Sequence, residues 1–236
     1  MSPFIGEFIG TALLIIMGAG VVANVLLDKS KGQNSGWIVI TFGWAMAVFI
    51  GVYASNHLGG SGHLNPAVSI GLAAIGEFDS SLLFTYIAAQ MGGAFTGAAI
   101  AWLAYKDHFD NTENKDLKLA VFSTAPAIRN PVFNLITEII GTFILLFGAL
   151  NISKSAATMG ALDALPVGLL VLGIGLSLGG PTGYAINPAR DLGPRIAHFV
   201  LPIKNKRDSD WSYAWVPVVG PIIGGLLAAY LFQAIK

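Results

Sequence analysis

Six stretches of the chain contain no Asp, Glu, Lys or Arg for 15 residues or more: 8–27, 32–76, 80–105, 139–153, 164–189 and 211–235. A helix needs about 20 mostly apolar residues to cross a bilayer. The pattern therefore predicts spans at about 4–26, 36–57, 81–105, 132–152, 162–179 and 212–234. The run at 32–76 is long enough for two spans, but its centre is polar and glycine-rich, from His57 through Gly59, Gly60 and Gly62 to Asn65-Pro66. Irregular backbone at membrane depth survives only where protein or a water-filled cavity satisfies its peptide groups. The expectation there is a re-entrant segment followed by a short helix from Pro66 to about Gly76, and a second short helix from Pro188.

The chain repeats itself. Gly6-Glu7-Phe8-Ile9-Gly10-Thr11 returns as Thr137-Glu138-Ile139-Ile140-Gly141-Thr142, each opening a span, and each half later reaches a glycine-rich stretch ending in Asn65-Pro66-Ala67 or Asn187-Pro188-Ala189. Each half holds three spans and one short helix, and an odd number of spans makes the second half enter the membrane from the opposite side. The predicted fold is an all-α membrane protein of six transmembrane helices and two re-entrant half-helices in two inverted repeats. The repeats form a single domain over 1–236, with the first at about 1–106, a connection at about 107–130 and the second at about 131–236. In such folds the site lies near the midplane, where broken helices of the two halves meet.

Composition narrows the function classes. Charged residues make up 11% of the chain, against roughly a quarter in soluble domains, and 13 Lys+Arg balance 13 Asp+Glu. Without a basic stripe no nucleic-acid partner is expected. The absence of cysteine excludes disulfides, thiolate metal sites and a Cys nucleophile. His57 and His63 lack the partners of a metal site, so neither metal nor cofactor is expected. No Lys or Arg precedes the first apolar run, so a cleavable leader is not expected either.

Asparagine is a favoured N-cap and proline suits the first helical turn. Two half-helices starting near the membrane centre aim two positive dipole ends at one point, which repels cations. The capping amides can donate into that space, and the preceding loops offer backbone carbonyls as acceptors. Such a path suits a neutral, hydrogen-bonding solute.

These residues resemble the aquaporin (major intrinsic protein) family over essentially the whole chain. Arg190, directly after the second triplet, stands where that family places its selectivity-filter guanidinium. Asp191 and the pair Pro217-Val218 are similar to the glycerol-facilitator branch. The resemblance implies a filter of Trp44, Gly175, Tyr184 and Arg190, the Trp44 position carrying a one-residue ambiguity from an insertion within Leu58–Gly62. Glycine at 175 then leaves the site wide. Tyr184 replaces the phenylalanine of typical glycerol facilitators, and its hydroxyl either narrows the opening or adds a polar contact. Gly62, His63, Gly183, Ala185, Glu7, Glu138 and Asp191 are expected to line the pore or support its loops. The family further implies a passive channel for glycerol, other small polyols, water or protonated weak acids, with ions and protons excluded. It also implies a homotetramer in the bilayer of the plasma membrane with both termini cytoplasmic, and no enzymatic activity.

Bottom-up alternatives stand beside this. Glu7 and Glu138 could relay protons in an ion-coupled secondary transporter, although their repeat-related positions fit acceptors for loop backbone better. The spacings Gly6/Gly10, Gly93/Gly97 and Gly220/Gly224 read as helix-packing contacts, and the polar stretch Lys106 to Asn130 as a solvated loop. With cytoplasmic termini, Lys154 and Lys236 lie inside, while Lys29, Lys31, Lys106, Lys115, Lys118, Arg129, Arg195, Lys204, Lys206 and Arg207 lie outside. That bias runs against the positive-inside rule.

Overall fold

Proline preceded by a short polar side chain starts four of the helices in the computed structural model, which describes residues 2–152 and 158–236. Helix α1 (Pro3–Leu26) is capped by Ser2, α3 (Pro66–Ala74) by Asn65, α7 (Pro131–Asn151) by Asn130 and α9 (Pro188–Val200) by Asn187. In each case the side-chain oxygen accepts an orphan N–H of the first turn, and proline has no N–H there to lose. The remaining long helices are α2 (Trp37–His57), α4 (Leu83–Ala104), α8 (Leu165–Leu178) and α10 (Val216–Ile235). Single 3₁₀ turns at Ser80–Leu82 and Gly160–Ala164 lead into α4 and α8. Six segments are long and apolar enough to span a bilayer, and no strand occurs among the described residues.

The order span, span, half-helix, span appears as α1–α4 and again as α7–α10. In the first half α1 packs between α2 and α4, and in the second α7 packs on α10 and α8. The half-helices cross over, α3 lying against α10 and α9 against α4, so each is buried by a span of the other repeat.

Glycines make these crossings close. A Cβ on Gly10 would stand 2.7 Å from the Gly51 carbonyl oxygen of α2, and one on Gly51 2.8 Å from that of Gly10. On α4, a Cβ at Gly93 would meet Thr11 Cβ at 3.1 Å and one at Gly97 would meet Ile15 Cβ at 2.9 Å. The sequence-expected packing role of Gly6/Gly10, Gly93/Gly97 and Gly220/Gly224 is what the helices use. Gly224→Ala is a direct test, because its Cβ would lie 3.0 Å from both Ile139 C and Phe143 N, backbone atoms that cannot rotate away. Overpacking of this kind costs about 1–3 kcal/mol. The thermal midpoint in detergent is expected to fall, and an unmoved midpoint would show that the α7–α10 crossing has slack.

Two sequence expectations fail here. The last span begins at Val216 rather than near 212, because 210–215 closes as turns, Tyr213 N bonding to Asp210 O at 3.1 Å and Ala214 N to Trp211 O at 3.2 Å. Pro217 then falls in the first turn, where its missing N–H removes no bond. The stretch 106–130 is not a solvated loop. It forms α5 (Lys106–Asn111) and α6 (Lys115–Phe122), which bury Phe109, Leu119, Val121 and Phe122. Its polar letters hide two short amphipathic helices, whose Phe109 and Phe122 rings meet at 5.6 Å, with Phe122 also edge-on to His198 of α9.

The connections 28–35, 106–130 and 201–215 touch one another at a single face. Lys29 donates to Asn111, Lys118 to the Lys204 carbonyl, and Arg129 and Arg207 pair with Asp210 and Asp116. The ten cations assigned to the outside under cytoplasmic termini belong to these connections and the adjoining α9, and Asp28, Asp107, Asp110, Glu113, Asp116, Asp191, Asp208 and Asp210 lie in the same segments. The hydrogen bond from Lys106 holds Asp110 below the ordinary carboxylate range. Lys206 donates to the carbonyls of His198, Phe199 and Leu201, a cation at the negative end of α9. Most of these charges are therefore tied into folded structure. Lys154 lies outside the described residues.

Candidate functional site

The two Asn-Pro-Ala triplets meet tip to tip. Asn65 Oδ1 accepts from Ala67 N at 2.9 Å, and Asn187 Oδ1 from Ala189 N at 3.0 Å and Arg190 N at 3.2 Å. The amide nitrogens cross between repeats: Asn65 Nδ2 donates to the Ile186 carbonyl and Asn187 Nδ2 to the Leu64 carbonyl, both at 2.8 Å. Each amide has a second N–H, so one donor of each Asn locks the halves together and one remains. Pro66, Ala67, Pro188 and Ala189 are buried in the first turns beneath these caps.

The residues whose carbonyls accept these bonds are strained. Leu64 and Ile186, each just before its Asn, have φ of +50° and +44°, and Tyr184 has +39°. Left-handed backbone costs a non-glycine residue about 1–3 kcal/mol, and the two buried carboxylates offset it. Glu7 accepts from Ser55 Oγ (2.9 Å), His63 N (3.0 Å), Leu64 N (2.8 Å) and Gln90 Nε2 (2.8 Å). Glu138 accepts from Thr182 Oγ1 (2.7 Å), Ala185 N (3.0 Å) and Ile186 N (2.7 Å). Each carboxylate thus grips the N–H of the left-handed residue whose carbonyl takes the other repeat's asparagine. Gly62 and Gly183, at φ of +67° and +79°, supply the earlier left-handed turns of each loop.

Beside this junction runs a cavity of about 400 Å³. Its lining includes the apolar Val48, Val52, Val68, Leu145 and Val171 together with loop residues 62–65 and 184–187. Trp44, Tyr184 and Arg190 border it together, the Arg190 guanidinium lying over the Trp44 ring at 4.0 Å from its centre. Arg190 is 8% exposed, and among the described residues no acceptor is hydrogen-bonded to its guanidinium.

Of the other sequence-selected residues, His63 borders the cavity with its ring against Phe78 and Tyr86 and Nδ1 at 3.0 Å from Ser69 Oγ, and Ala185 borders it too. Asp191 accepts from Thr124 N and Oγ1, each at 2.7 Å, and pairs with buried Arg195. Arg195 in turn donates to the carbonyls of Thr124, Ser209 and Asp210, binding the second loop to the outer connections. Gly175 does not simply leave space, because the Tyr184 ring fills it: a Cβ at 175 would lie 2.9 Å from Tyr184 Cζ. The sequence reading missed Trp37, Gln90, Thr124 and Arg195. Trp37 carried a usable signal, since 37, 41, 44 and 48 share one helical face.

The sequence matches the family model for Major intrinsic protein over residues 1–232. The chain belongs to the major intrinsic protein family. It is 60% identical over 233 residues to the "Probable glycerol uptake facilitator protein" of Thermotoga maritima, covering 99% of both chains. It is 53% identical over 235 residues to the "Glycerol uptake facilitator protein" of Streptococcus pneumoniae R6, again covering 99% of each. The X-ray structure of the aquaglyceroporin from Plasmodium falciparum superposes with a TM-score of 0.86 at 34% identity, covering 98% of this chain and 94% of that one. As a major intrinsic protein, the chain is a multi-pass membrane protein of the aquaporin fold.

Proposed function

We propose that the chain is a passive channel for glycerol, with water, other small polyols and protonated weak acids as further solutes, and that it excludes ions and protons. The observation that carries this is the unpaired Arg190 guanidinium stacked on Trp44 beside Tyr184 at the edge of a mostly apolar cavity that the two Asn-Pro-Ala loops also line. A polyol has one carbon edge and one row of hydroxyls. The aromatic rings and valines suit the first, while Arg190 and the loop carbonyls suit the second. A cation meets Arg190 and the positive ends of α3 and α9 instead. No chemical step is involved.

The filter roles of Trp44, Gly175, Tyr184 and Arg190 and the supporting roles of Glu7, Glu138 and Asp191 belong to the same reading, as does the single domain of two repeats. An ion-coupled transporter is the weaker reading, because Glu7 and Glu138 are bonded to loop donors and Asp163, at the cavity's edge, accepts from Thr158 and Met159. Exposed apolar side chains along the outer helix faces, among them Ile38, Phe42, Val132 and Phe133, support burial in lipid or against further copies. The proposed assembly is a homotetramer in the plasma membrane with cytoplasmic termini.

The test is stopped-flow light scattering on reconstituted vesicles. Glycerol equilibration is expected to be far faster than in empty vesicles, non-saturating and indifferent to ion gradients. Saturation, or arrest when a gradient is collapsed, would favour the coupled transporter.

A further inference from the structure

The Tyr184 ring rests in a seat built by residues outside the loop that carries it. A Cβ on Gly175 would stand 2.9 Å from Tyr184 Cζ and 3.0 Å from its hydroxyl oxygen, and one on Gly179 would stand 2.6 Å from Cδ1. Gly175 and Gly179 are one helical turn apart at the end of α8, so together they leave a flat strip of bare backbone. Trp37 closes this strip from α2. Its indole N–H donates to the Gly175 carbonyl at 3.0 Å, and its ring stands edge-on to Tyr184 with centroids 5.9 Å apart and planes at 75°. A Cβ on Gly179 would also lie 2.7 Å from Trp37 Cζ2, so the same glycine admits both rings.

Neither the backbone nor the hydroxyl of Tyr184 explains where its ring sits. The residue occupies a left-handed conformation that bulky side chains avoid. Its hydroxyl is buried with no hydrogen-bond partner among the described residues, although a buried phenol normally finds one. Packing alone holds the ring. Thr41 completes the surroundings, its Cγ2 lying 2.9 Å from the Gly175 Cβ position.

We propose that Trp37 is a positioning residue of the filter: with Gly175 and Gly179 it fixes the Tyr184 ring, and so sets the gap between Tyr184 and Arg190 and the largest polyol that passes. This rests on the reading of the cavity as a solute channel. Removing the Trp37 edge and its N–H frees the ring to swing towards α2 and widens the gap. Adding a methyl at Gly175 pushes the ring towards Arg190 and narrows it. Opposite signs from Trp37 and Gly175, neither of which borders the cavity directly, distinguish positioning from general loosening of the fold.

The experiment compares glycerol, xylitol and water flux in vesicles for the wild type, Trp37→Leu, Trp37→Phe and Gly175→Ala, with thermal midpoints alongside. Trp37→Leu is expected to raise the xylitol-to-glycerol ratio by about tenfold, the lower end of what a single steric difference in a pocket supports. Trp37→Phe, which keeps a ring against Tyr184, is expected to restore most of the discrimination. Gly175→Ala is expected to lower glycerol flux more than water flux. A wild-type xylitol-to-glycerol ratio in Trp37→Leu that still conducts glycerol overturns the proposal. Should Trp37→Leu not fold, an unchanged glycerol-to-water ratio in Gly175→Ala overturns it equally. If the wild type itself moves no glycerol beyond empty vesicles, it is the channel reading that fails.

Discussion

Arg190→Ala is expected to keep glycerol flux, to admit larger polyols, and to let protons and small cations leak. The size of the leak follows from the electrostatics. A fixed unit charge about 4 Å from a passing cation contributes about 4 kcal/mol at an effective dielectric near 20, close to three powers of ten in crossing rate. The helix ends at Asn65 and Asn187 supply roughly half a charge each, so some cation exclusion survives the substitution. Stability is expected to hold or rise. Among the described residues the guanidinium is largely buried with no carboxylate ion pair, its Trp44 stacking being its one close partner, and removing a buried charge relieves its desolvation penalty. A pH-sensitive dye trapped in vesicles reads the leak, with Arg190→Lys as the variant that keeps the charge. A tight Arg190→Ala channel with an unchanged solute profile would remove Arg190 from the filter.

Much of this site was legible because its parts obey simple rules. Charge-free length marked the spans, and the doubled Asn-Pro-Ala located the start of both half-helices to the residue. The repeat-related Glu7 and Glu138 stood out as carboxylates within apolar segments. What escaped lacked a one-dimensional signature. The left-handed turns at Leu64 and Ile186 use ordinary aliphatic residues, so nothing in their identity announces positive φ. Phe109 and Phe122 sit among Lys, Asp and Asn, and become a core only when α6 packs on α9 and the two rings meet. Gly175 stands out in the sequence by its position alone, whereas its partner Trp37 comes from α2, 138 residues away in sequence. Loop counting likewise treats Lys118, Arg195 and Lys206 as free charges, whereas each is bonded to backbone carbonyls.

Glu138→Leu is expected to have the largest effect on stability of any single change in the chain. It leaves Thr182 Oγ1, Ala185 N and Ile186 N without their acceptor in a fully buried setting. At about 1–3 kcal/mol for each orphaned donor, the sum is comparable with a whole domain's stability of about 5–15 kcal/mol. Glu138→Gln should fall between. Its one carbonyl oxygen can serve either the Thr182 and Ala185 side or the Ile186 side, while its NH₂ then faces a backbone N–H on the other, so at least one donor is lost whichever way it turns. At about 2–4 °C per kcal/mol for a chain of this size, the midpoint in detergent should drop by several degrees for Gln and further for Leu. The damage should also cross to the other repeat. Ile186 without its N–H bond can leave the left-handed region, and its carbonyl then no longer meets Asn65 Nδ2 at 2.8 Å. Glycerol flux per folded channel is therefore expected to fall in Glu138→Gln. The equivalent Glu7→Gln should show the same loss through Leu64 and Asn187. If both variants keep the wild-type midpoint and flux, the carboxylates do not hold the loops, and the strain at Leu64 and Ile186 must be balanced by packing alone.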